Sequence, residues 1–157
     1  MRIRFRPSLR VAGGQIVRKG GTEVHAAALL RQREVIFDSS LLSHAPELIR
    51  IFAHEVFHFV WTRIGNATRK SWEQLILSES RLRVKGELGW SAQLYKDRAR
   101  TPTGRRWRDY LCESFCDTAA WYFSGQHTHE EFTLPAWARM RRKRWFRAMI
   151  TSRRLPL

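Results

Sequence analysis

Five consecutive residues, His54-Glu55-Val56-Phe57-His58, constrain this chain more than any other stretch. On a helix, positions four apart share a face, so both histidines can reach one metal ion. Two imidazoles suit zinc, and the Glu55 carboxylate between them is placed to take a proton from a metal-bound water. The surrounding sequence predicts that helix. Ser43 can cap it, Pro46 and Glu47 fall in its first turn, and Gly65-Asn66 ends it. Leu48, Ile49, Ile51, Phe52, Ala53, Val56, Phe57, Phe59, Val60 and Trp61 leave it almost no polar face, so it is expected to cross the middle of the domain. Polar groups on so buried a helix are costly unless something binds them.

A hydrolytic zinc site needs a third protein ligand and an open position. The compact HExxHxxGxxH pattern is excluded, because Trp61 stands at the glycine position and Ile64 at the third histidine. Glu113 is the strongest candidate. In Cys112-Glu113-Ser114-Phe115-Cys116-Asp117-Thr118-Ala119-Ala120, Glu113 and Asp117 share a face, so one can ligate while the other holds a ligand histidine. The small residues at 112, 116, 119 and 120 would let this helix approach the metal helix. Glu79 is the second candidate, but Arg83 stands where a supporting acid would fall, and its neighbours Ser78, Ser80 and Arg81 suggest a wet surface. His127 and His129, in polar sequence after Gly125, come third.

With HExxH at 54–58 and ExxxD at 113–117, the chain resembles the gluzincin group of zinc metallopeptidases, over roughly residues 34–60 and 110–124. The resemblance implies an α+β fold: a small twisted N-terminal sheet on a buried HExxH helix and a second ExxxD helix, as a minimal zincin-like unit. It implies one Zn2+ held by His54, His58 and Glu113, with Asp117 supporting His54 and Glu55 as the catalytic base in peptide-bond hydrolysis. Tyr95, Tyr110, His127 and His129 are the candidate oxyanion donors. The strand near Arg33 to Phe37, just before the metal helix, would align an extended peptide by β-addition. The gap between the two motifs is longer than in the best-known members, and the chain is too short for the second helical domain many of them carry.

Charge adds a separate expectation. The formal net charge is +15, and its placement is uneven: residues 1–20 and 132–157 contain no acid, while 21–131 holds all fourteen acids. A peptidase-like unit over 1–131, followed by a basic aromatic segment over 132–157 packed on it or partly extended, fits this pattern. In that segment Arg139, Arg141, Arg142, Lys143, Arg144 and Arg147 interleave with Trp137, Trp145 and Phe146. Such a mixture can bind phosphate backbones and stack on bases, or cover a flank of the core with its arginine stems. The alternative function is therefore a nucleic-acid-associated protein, or a DNA-recruited peptidase similar to the SprT type, whose third ligand is a histidine.

A 157-residue chain with 43% apolar residues is expected to bury one core without staples. Cys112 and Cys116, four apart on a helix, read as reduced core-filling thiols. The arginine-rich start has no apolar run of signal-peptide length and the sequence no apolar run that approaches a membrane span, so a cytoplasmic, non-membrane protein is expected. Strands are expected at 2–6, 15–19 and as a pair within 23–38, and helices from Ser71 to Arg83, Ser91 to Arg100 and Arg105 to Ser124. Ser71 with Gln74 reads as a capping box.

Overall fold

The computed structural model describes residues 1–152, so the last five residues of the 132–157 segment lie outside it. The architecture is α+β, with two three-stranded sheets at the N-terminal end and five α-helices after them. Strand β1 (Arg2–Arg6) runs parallel to β6 (Glu34–Asp38), and β5 (Ala26–Leu29) pairs antiparallel with the other side of β6. Between them, β2 (Arg10–Ala12), β3 (Gln15–Val17) and β4 (Thr22–Glu23) form a separate antiparallel sheet ordered β3-β2-β4.

The run Val35-Ile36-Phe37 is buried, as a strand paired on both sides requires. This corrects the expectation for substrate alignment. Both edges of β6 are taken, so the strand from Arg33 to Phe37 cannot accept a further one, and the edges of this sheet are β1 and β5.

Helix α1 (Ala45–Arg63) crosses behind this sheet and packs chiefly against α4 (Gly104–Ser124). Its N-cap residue is His44, and Ser43 instead donates to the Ser40 carbonyl at 2.7 Å. The helix is less enclosed than its composition suggests: Ile49 is 50% exposed and Phe52 37%, while Arg50 is buried. Helix α2 (Asn66–Arg81) starts five residues before Ser71, directly after Gly65, so Ser71 sits mid-helix and the capping box does not form. Helix α3 (Trp90–Arg98) follows a short loop, and α4 ends at Gly125, which takes the left-handed conformation that favours glycine.

Helix α5 (Ala136–Ser152) packs on α2 and α4. Its Phe146 and Met149 join Phe57, Val60, Trp72, Ile76, Phe115 and Ala119 in the main core. Arg142 is completely buried, with its guanidinium bonded to the carboxylates of Glu79 and Glu87. Two expectations fall with that. Arg142 cannot contact a phosphate backbone, and Glu79 is a buried ion-pair partner rather than a wet surface residue. A second apolar cluster (Val35, Phe37, Leu41, Ile51, Phe59) joins the sheet to α1. No helix among the described residues is long and apolar enough to cross a membrane.

Candidate metal centre

Helices α1 and α4 each present residues from one face to the other. From α1, His54 and His58 bring their Nε2 atoms to 3.1 Å. From α4, Glu113 Oε2 lies 3.5 Å from His54 Nε2 and 3.9 Å from His58 Nε2. A tetrahedral zinc ion with bonds near 2.0–2.1 Å holds its donors about 3.3 Å apart, so these three atoms are spaced as such an ion needs. The donor set, two imidazoles and a carboxylate, suits zinc chemically. The buried polar groups on these helices therefore fit that metal.

One turn beyond Glu113, Asp117 lies buried against the other nitrogen of His54, with Oδ1 2.7 Å from Nδ1. A proton on Nδ1 donated to this carboxylate leaves the Nε2 lone pair free to ligate. Asp117 is itself held, because its Oδ2 accepts the Ala92 N–H at 2.8 Å. Gly89 makes that approach possible. A Cβ at this position would stand 2.3 Å from the Asp117 carboxyl carbon. Its backbone φ of −177° is ordinary extended geometry, so the demand for glycine is one of space. Nothing in the local sequence marks Gly89 or Ala92 as part of the site, since both reach Asp117 only through the packing of α3 on α4.

The electrostatics favour a positive charge at this place. Burial pushes the His54 imidazole down, yet Asp117 and Glu113 outweigh it and hold the pKa well above the ordinary histidine range. Burial likewise pushes Glu113 up, and the two histidines bring it net below the usual carboxylate value. The second nitrogen of His58 faces a sulfur: Nδ1 is 3.5 Å from Cys112 Sγ. A hydrogen bond from Cys116 brings the Cys112 thiol down to about 6, against its burial and with help from His58, whereas burial and Cys112 push Cys116 well up.

Glu55 lines an open cleft with His54, Asp117, Arg50, Trp90 and Ser91, faced by residues 22–26 and by Glu131, in a volume of about 460 Å³. Glu55 is largely buried, at the wall of this cleft beside His54. Arg50 sits in the cleft wall, bonded to Glu47 and, at 3.0 Å, to Glu131, which also accepts the Trp90 N–H at 3.1 Å. These residues carried no sequence signal, because the pairing joins positions 81 apart.

The four candidate oxyanion donors separate. Tyr110 is buried and gives its hydroxyl to Glu87, away from the cleft, so it does not serve. His129 accepts the Glu131 N–H and lies 3.5 Å from Glu47. His127 is exposed. Tyr95 is half-buried, and burial together with the Glu113 charge raises its pKa. Among the basic side chains of α5, Arg139 bonds the Leu134 carbonyl and Arg141 the Ser78 hydroxyl. Lys143, Arg144 and Arg147 face solvent. No family model, curated protein or solved structure matches the chain.

Proposed function

We propose that this chain is a zinc-dependent metallopeptidase of the gluzincin arrangement, on a minimal zincin-like fold. One observation carries the reading: three donors from two helices converge at zinc spacing, and an acid one turn on engages the far nitrogen of a histidine among them. His54, His58 and Glu113 would hold one Zn2+, and when bound that ion supplies an acidified water and a polarised carbonyl. Glu55 takes the proton on its carboxylate and returns it to the leaving amine. Asp117 fixes the tautomer and direction of His54. An extended peptide would add along the free edge of β5, whose first residue, Ala26, lines the cleft together with exposed Trp90. Tyr95 is the proposed donor to the developing oxyanion.

The test is metal analysis followed by hydrolysis of a mixed peptide library. The purified protein should hold at least one zinc per chain, one of them lost in Glu113→Ala, and Glu55→Gln should keep the zinc while losing on the order of 10²–10⁴ in rate. A Glu55→Gln variant that cleaves the same peptides at full rate would refute this mechanism.

A nucleic-acid-associated role is the second reading, favoured by a different surface from the C-terminal segment. Arg98, Arg100, Arg105 and Arg106 line a pocket of about 270 Å³ that contains no acid. If these residues neutralise phosphates, log affinity for DNA or RNA should fall steeply with log salt, and replacing all four with Ser should flatten the slope.

A further inference from the structure

The soft donors behind His58 are unused by the hydrolytic reading. We infer that His58, Cys112 and Cys116 form a second metal site, built for a thiophilic ion such as zinc or cuprous copper. One donor atom from each of the three lies within 4.8 Å of the others. The 3.5 Å between His58 Nδ1 and Cys112 Sγ matches the separation of about 3.5 Å expected for a nitrogen and a sulfur bound tetrahedrally at 2.0 and 2.3 Å. Two thiolates and an imidazole are a donor set that selects soft or borderline metals over hard ones.

The helices supply this trio as they supply the other. Cys112 and Cys116 are four apart on α4, so their sulfurs share a face, and that face meets α1 at His58. Cys116 is fully buried, whereas His58 and Cys112 are partly exposed, so an ion would enter from their side and bind with its back to the core. Binding forms two metal–sulfur bonds and one metal–nitrogen bond, and releases to solvent whatever protons the thiols and Nδ1 held. The two sites share only His58, through opposite ring nitrogens. Ions in both would be bridged by its ring.

Cadmium is the probe, because thiolate ligation gives an ultraviolet charge-transfer band that imidazole and carboxylate ligation do not. Cys112 and Cys116 are the only cysteines in the chain, so any such band reports on them. The full chain, stripped of metal and kept reduced, is titrated with Cd2+. The band should grow to saturation, at up to two ions per chain in the parent because the hydrolytic centre takes cadmium without a band. It should persist in His54→Ala/Glu113→Ala, which removes the hydrolytic centre but no soft donor, and saturate there at one ion per chain. Cadmium affinity read from the band should fall at least about tenfold in His58→Ala. No band in the parent protein, saturation at half an ion per chain, or an unchanged affinity in His58→Ala would each overturn the proposal. The result is independent of whether the protein cleaves peptides.

Discussion

At the scale of residues, the site was legible where chemistry repeats at helical spacing. His54 and His58 are four apart, as are Glu113 and Asp117, and the structure brings these pairs face to face. What was not legible depends on contacts between segments far apart in the chain. Gly89 looks like any loop glycine until the Asp117 carboxylate is seen against it. Glu79 looked wet because its neighbours are polar, and its burial is decided by Arg142, 63 positions later. Asp117→Ala should weaken zinc by about 10–100-fold, the usual cost of losing the partner of a ligand histidine. Gly89→Ala should weaken zinc as well, because the added carbon must displace the carboxylate or the start of α3. Chelator competition measures both, and unchanged zinc affinity in Gly89→Ala would mean the loop yields without moving Asp117.

At the scale of elements, the decisive feature is a buried clamp among α2, the loop before α3, and α5. Arg142 lies between Glu79 and Glu87, and Lys96 and Tyr110 add bonds to Glu87. Removing one of the two acids leaves Arg142 paired with the other but strands buried guanidinium N–H donors, at a cost of about 1–3 kcal/mol. Glu79→Ala should therefore lower stability by that order in denaturant unfolding, more than a wet surface position would. The clamp also gives a pH dependence. Burial pushes Glu87 up, but Arg142 foremost, then Lys96 and Tyr110, bring it net below the ordinary glutamate value. A depressed folded pKa adds stability that is complete above the unfolded value of roughly 4.3, and that is lost as pH falls through the folded one. Unfolding free energy should accordingly drop below about pH 4, and Glu87→Gln should flatten that slope; an identical slope in the variant would take Glu87 out of the acid response. Element boundaries were less legible than element existence. Helix α2 starts at Asn66 because nothing between Gly65 and Ser71 interrupts a helix, whatever capping pattern Ser71 and Gln74 suggest.

At the scale of the whole molecule, the C-terminal helix belongs to the core. Phe146 is fully buried among Phe57, Phe115 and Trp72, and Arg142 closes the clamp. The basic bias of residues 132–157 hid this, because the inward-facing positions are outnumbered by the arginines around them. A chain ending at residue 131 should lose cooperative unfolding, and Phe146→Ala should cost about 3–5 kcal/mol. A truncated chain that melts as the full one does would contradict that account of the core. Zinc binding by the hydrolytic centre depends on α1 and α4 meeting to hold one ion, and the most direct measurement compares zinc affinity in Glu113→Ala and Glu79→Ala by chelator competition, both made in a Cys112→Ser/Cys116→Ser background that removes the thiol donors. Glu113→Ala should lose more than about 100-fold, beyond the loss expected for a supporting residue. Folded Glu79→Ala should keep the parent affinity despite its lower stability. Parent-like zinc affinity in Glu113→Ala would contradict the central claim.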